Sequence, residues 1–130
     1  MAFTFELVTP ERLLMSGDAE QVVVPGTEGD FAVLSGHTPF ISTLRPGVLD
    51  ITMTDGQRRV FVKKGVAEAD PERLTILAQT AVEVDALTPA MIEAELQAAE
   101  ADRAAAKDDE ARMTAETLVD VLKRLQMKAA

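Results

Sequence analysis

Residues 48–63 read Val-Leu-Asp-Ile-Thr-Met-Thr-Asp-Gly-Gln-Arg-Arg-Val-Phe-Val-Lys. Apolar and polar side chains alternate through residues 48–53, stop at Asp55-Gly56, and alternate again through residues 59–63. Alternation with period two gives a strand one apolar face, and Asp-Gly between two such runs supplies the backbone freedom of a tight turn. The stretch predicts a β-hairpin, and with it an antiparallel sheet.

Working outward, the same grammar recurs. Phe3, Phe5 and Leu7 alternate with Thr4 and Glu6. Residues 13–15 form a short run that stops at Ser16-Gly17-Asp18, and the β-branched run at residues 21–24 stops at Pro25-Gly26. Residues 31–34 stop at Ser35-Gly36, and residues 40–44 at Pro46-Gly47, a dipeptide suited to a type II turn. Residues 73–77 and 81–84 complete the set. Eight to ten short strands with no helix between them predict an antiparallel sandwich or flattened barrel rather than a parallel sheet.

The composition then changes. Every glycine lies at or before Gly65, every phenylalanine at or before Phe61, and the last proline is Pro89. Beyond it the chain is rich in Ala, Glu, Lys, Arg and Leu, the strong helix formers. Thr88 and Pro89 suit the N-cap and first position of a helix. Ile92, Leu96 and Ala99 recur at helical spacing, as do Leu118, Val121, Leu122 and Leu125. Lys107-Asp108-Asp109-Glu110 lies between the two stripes and can cap a second helix. The expected organisation is a β domain over residues 1–86 and a helical hairpin over residues 87–130. With no Gly or Pro at the junction, one continuous helix is the alternative.

The chain has 130 residues with 13 basic against 22 acidic, a formal charge of −9. Such a surface repels phosphate backbones and anionic lipid, so nucleic acid is excluded as an expected partner. There is no cysteine, and His37 is the sole histidine, which removes disulfides, thiolate nucleophiles and multi-histidine metal sites. No apolar run approaches the roughly 20 residues that span a bilayer. Residues 1–6 lack both a basic start and an apolar core, which argues against a signal or transit peptide and favours a bacterial chain.

Few residues offer chemistry. His37, in Gly36-His37-Thr38-Pro39, has no nucleophile and orienting carboxylate at catalytic spacing and reads as a structural or interface residue. Residues 25–30, Pro-Gly-Thr-Glu-Gly-Asp, lack the Gly-Lys-Ser/Thr ending of a phosphate loop; the stretch reads as a hairpin loop whose two carboxylates suit recognition. Arg58, Arg59, Lys63 and Lys64 read as a solvated strand face. Arg112, Lys123, Arg124 and Lys128 make the last helix locally basic, by default as solvation and as partners of the helix dipole. No catalytic residue, metal site or cofactor is expected.

The stretch Val22-Val23-Val24-Pro25-Gly26-Thr27-Glu28-Gly29-Asp30-Phe31-Ala32-Val33-Leu34-Ser35-Gly36-His37-Thr38-Pro39-Phe40, followed by Leu44-Arg45-Pro46-Gly47, resembles the epsilon subunit of F-type ATP synthases, called delta in mitochondria. Lys64-Gly65-Val66-Ala67-Glu68 and Leu74-Thr75-Ile76-Leu77-Ala78 also look like segments of that family. The resemblance implies a flattened β-sandwich of about ten strands and a C-terminal two-helix antiparallel hairpin. It implies a non-catalytic rotor subunit of the central stalk, peripheral on the cytoplasmic side of a bacterial inner membrane. The sandwich would bind the gamma subunit and rest on the c-ring, with Glu28, Asp30 and His37 as ring contacts. The hairpin would be regulatory, and Arg112, Lys123, Arg124 and Lys128 would be the residues that reach the alpha and beta subunits to inhibit ATP hydrolysis.

Some members of the family bind ATP through an Ile/Leu-Asp-x-x-Arg-Ala motif in the first helix. Here the matching stretch is Ile92-Glu93-Ala94-Glu95-Leu96-Gln97, with leucine in place of the arginine that would face phosphate. Arg103 is a weak remaining candidate. No useful ATP sensing is expected, and an ATP-responsive brake is the alternative reading.

Overall fold

The structure, a computed structural model, describes residues 2–129. It divides into two compact units, one ending at Val84 and the other beginning at Asp85. The first contains β1 (Phe3–Val8), β2 (Leu13–Gly26), β3 (Gly29–Leu34), β4 (Phe40–Leu44), β5 (Gly47–Met53), β6 (Gly56–Val62), β7 (Gly65–Asp70), β8 (Arg73–Ala78) and β9 (Ala81–Glu83). A 3-10 turn at Val84–Ala86 leads to α1 (Pro89–Ala105) and α2 (Asp109–Ala129).

The hairpin of residues 48–63 is β5 and β6, paired from Gly47 with Val62 to Met53 with Gly56. Its loop is Thr54 and Asp55, one residue earlier than the Asp-Gly dipeptide suggests, and Gly56 follows it at a φ of 151°.

The two runs expected at residues 13–15 and 21–24 are one strand, β2. Gly17 makes no turn. It pairs with Phe5, and a Cβ added there would stand 2.7 Å from Met53 Cε, so glycine serves close approach rather than reversal. The first half of β2 pairs with β1, its middle with β5 and its last residues with β3, with a bulge between Ala19 and Gln21. One long strand thus runs through both layers. Residues 21–23 of β2 pair with β3 along one edge and with β5 along the other, β6 and β9 continue beyond β5, and the path through β1, β8, β7 and β4 returns to β2 at Gly26. The result is a flattened antiparallel sandwich, with β1 and β8 its one parallel pair among the described residues.

Alternation fills the space between the layers. Phe3, Phe5 and Leu7 of β1 are buried together with Val22, Val24, Val33, Leu49, Ile51, Leu74 and Ile76. Each large side chain removed from water there contributes about 1.5–3 kcal/mol. Among the described residues, no polar or charged residue is buried.

In the helical unit, Thr88 Oγ1 accepts the Met91 N–H at 3.2 Å, with Pro89 in the first turn. Ile92, Leu96 and Ala99 form the buried face of α1, and Ala115, Val119, Val121, Leu122 and Leu125 that of α2. The helix breaks at Ala106, where ψ is 131°, and restarts with Asp108 Oδ1 accepting the Ala111 N–H at 2.7 Å. Gln126 Nε2 donates to Glu93 Oε2 at 3.1 Å, which sets the end of α2 beside the start of α1. The two helices pack as an antiparallel hairpin.

Candidate functional site

The β2–β3 connection gathers several hydrogen bonds and an ion pair in the β unit. Gly26 pairs with Gly29, so Thr27 and Glu28 form a two-residue tip, and Gly29 closes it at a φ of 133° that glycine alone adopts without strain. Such a tip standing alone would be mobile. Here it is tied to the end of β4 and the residue that follows it. Thr27 N–H donates to Thr43 O at 3.1 Å, and the two threonine hydroxyls lie 2.9 Å apart. Arg45 supplies the rest: its backbone N–H donates to Pro25 O at 2.9 Å and Nη1 to Gly26 O at 2.6 Å, while Nη2 meets Asp30 Oδ1 at 2.5 Å.

Pro46-Gly47 does not form the expected type II turn. Gly47 begins β5 at a negative φ, and a Cβ on it would stand 2.7 Å from Pro25 Cβ. It is the absence of a side chain, not a special turn, that lets the Arg45 segment lie against the tip.

The tip places Glu28 and Asp30 together but uses them differently. Glu28 is exposed and has no hydrogen bond or ion pair among the described residues. Asp30 is engaged by Arg45, with the two side chains 61% and 33% exposed. An ion pair this open contributes only about 0.2–1 kcal/mol by charge alone, so its effect is geometric, through the bonds Arg45 makes at the same time.

His37 lies beyond the other end of β3, a strand of six residues or roughly 20 Å from the tip. Its Nδ1 is 2.6 Å from Leu34 O; a carbonyl only accepts, so Nδ1 carries the hydrogen. Nε2 is enclosed without a partner. The ring stands edge-on to Phe3 and Phe40 at 5.8 and 5.9 Å, and Phe40 in turn to Phe31 at 5.2 Å. Gly36 N–H donates to Pro71 O at 2.9 Å and fixes the turn to the β7–β8 connection.

On α2, Arg112 pairs with Asp109 at 3.2 Å, one helical turn away. Lys123, Arg124 and Lys128 are exposed, and Arg124 Nε donates to the Asp120 carbonyl at 3.4 Å. On α1, Leu96 belongs to the buried face, and the Glu93 carboxylate accepts from Gln97 and Gln126. Arg103 is exposed at the end of α1. Among the described residues, no group of three or more His, Asp or Glu side chains is placed to hold a metal ion.

Arg45 is the residue that the sequence reading passed over. Leu44-Arg45-Pro46-Gly47 is visible as a motif, but no local pattern links a cation to a carboxylate 15 residues earlier.

The apolar residues form the core, while Glu28 on the tip and Lys123, Arg124 and Lys128 on α2 are exposed. Residues 2–84 match the family model described as "ATP synthase, Delta/Epsilon chain, beta-sandwich domain", and the chain belongs to that family. It is 43% identical over 123 residues to an ATP synthase epsilon chain of Parvibaculum lavamentivorans, covering 94% of this chain and 93% of the relative. A Rhodospirillum rubrum ATP synthase epsilon chain is 50% identical over 98 residues, 74% of this chain and 72% of its own. Among solved structures, a chain in the OSCP/F1/c-ring assembly of Euglena gracilis mitochondrial ATP synthase has the same fold. It gives a TM-score of 0.76 at 18% identity, with 99% of this chain and 82% of that one covered.

Proposed function

We propose that this chain is the epsilon-type rotor subunit in the central stalk of a proton-driven F-type ATP synthase, joining the c-ring to the gamma subunit without catalysing a reaction itself. The observation that carries this reading is the family match across the β unit, together with relatives called ATP synthase epsilon chain along nearly the whole length. The solved likenesses come from assemblies whose descriptions include the c-ring and the central stalk. Ring rotation turns gamma through this subunit, and ATP forms at sites on other chains. Residues 1–86 carry the coupling role. The tip with Glu28 and Asp30, and the turn holding His37, are the ring-facing features; a contact that transmits torque needs a stiff backbone, and the bonds from Arg45 and Thr43 supply one.

Residues 87–130 carry regulation. Arg112, Lys123, Arg124 and Lys128 offer cations to acidic segments of the alpha and beta subunits and slow ATP hydrolysis. ATP is not sensed, because Leu96 packs in the buried face of α1 where a phosphate-facing arginine would be needed. Among the described residues no helix is long and apolar enough to cross a membrane. The subunit sits peripherally, held by its partners at the cytoplasmic face of a bacterial inner membrane.

The test uses ATP synthase depleted of this subunit and rebuilt with the full chain or with a chain lacking residues 89–130. ATP-driven proton pumping and ATPase rate are read together. The full chain restores pumping, and the shortened chain restores pumping while raising ATPase rate. Loss of pumping with the shortened chain would move coupling into the helices and defeat the division of roles.

A further inference from the structure

We infer that Arg45 is the positioning residue of the β2–β3 tip, and that Asp30 serves Arg45 inside the chain, leaving Glu28 as the tip's outward carboxylate for a cationic group on the ring. The inference rests on the tip being the ring-facing feature proposed above.

Four observations meet at Arg45. Its main chain holds Pro25 O, one guanidinium nitrogen holds Gly26 O, and the other holds Asp30. These groups flank the tip on both sides, because Gly26 and Gly29 are the pair that closes it. A planar guanidinium can serve two acceptors at fixed angles, whereas a lysine ammonium is a single point on a flexible stem. Gly47 lets the segment approach. Asp30 therefore has a partner that competes with any external cation for the same oxygen. Glu28, two residues earlier and at the apex, has none among the described residues. A carboxylate at the apex of a fixed turn selects a basic side chain, and pairing with arginine is the strongest form of that contact.

The experiment separates brace from contact by what replaces Asp30. Asparagine keeps an oxygen for Arg45 but carries no charge, and alanine keeps neither. In the free full chain, exchange of the Thr27 amide, which is bonded to Thr43 O, reports the tip. Arg45→Ala, which removes the bonds to both Gly26 O and Asp30, speeds that exchange about tenfold and Asp30→Ala about threefold, the double variant does no more than Arg45→Ala alone, and Asp30→Asn restores most of the protection lost in Asp30→Ala. In rebuilt ATP synthase, coupled pumping follows the same order, while Glu28→Gln lowers pumping and leaves Thr27 exchange unchanged. Exchange unaffected by Arg45→Ala overturns the brace, whatever pumping does. Asp30→Asn as damaging to pumping as Asp30→Ala, with exchange protected, makes Asp30 the contact and overturns the assignment to Glu28. If exchange responds as stated and no variant alters pumping, the brace stands and the ring-facing reading of the tip fails.

Discussion

His37 has one ring nitrogen bonded to Leu34 O and the other enclosed, with Phe3 and Phe40 edge-on to its ring. Replacing it by alanine removes a hydrogen bond and two edge-on ring contacts, and is expected to cost about 2–3 kcal/mol in urea unfolding. His37→Phe keeps the ring and should cost about 1 kcal/mol. Equal costs for the two would show that the ring packing is idle. Gly65 makes a second residue-scale case. A Cβ there would collide with the Leu77 carbonyl oxygen on the neighbouring strand, and backbone cannot swing aside as a side-chain end can. Gly65→Ala should destabilise the chain by about 2 kcal/mol or more; a loss below 0.5 kcal/mol would mean β7 and β8 separate easily.

At the scale of elements, the break between α1 and α2 depends on a cap. Ala105, Ala106 and Lys107 favour helix as well as their neighbours do, so propensity does not place the break. Asp108 holds the Ala111 N–H and lets α2 begin afresh. Asp108→Ala should cost about 1 kcal/mol in the thermal unfolding of the helical signal, and Asp108→Asn only a few tenths, because asparagine caps equally well. The break was legible as Lys107-Asp108-Asp109-Glu110, and the hairpin as two stripes. Val119, outside the expected stripe, is buried, whereas Leu118 within it is only half-buried. The strands were legible by alternation wherever β-branched and aromatic residues mark it. β7, Gly-Val-Ala-Glu-Ala-Asp, carries a single such marker, Val66, and was missed. Ser16-Gly17-Asp18 imitated a turn inside β2. The tip was visible as a loop with two acids, but not its brace, since a pair formed across 15 residues depends on tertiary folding that no local pattern records.

For the whole molecule, each unit has its own apolar interior, and the sandwich core is made from strands before residue 79. A chain ending at residue 86 is therefore expected to fold, showing cooperative loss of β signal on heating and a dispersed amide spectrum. A collapsed, uncooperative product would place essential core contacts in the removed segment. The acidic balance of the full chain, −9, argues for solubility and against nonspecific adhesion to nucleic acid, whatever partners the two units take.

The parallel pairing of β1 with β8 has a consequence for biogenesis. Thr4 lies beside Arg73 and Val8 beside Leu77, so the first strand made waits for nearly the last before its second edge is covered. Closing a loop of that length before its contacts form is slow, and such topologies have high contact order. On the ribosome, the nascent β unit carries an open edge until β8 emerges and slots between β1 and β7, while the helical hairpin, built from local contacts, forms as soon as it is free. Chains stalled before residue 78 are accordingly the ones expected to call on chaperones, and arrest-peptide force measurements should place the onset of β-unit folding only after β8 has left the tunnel.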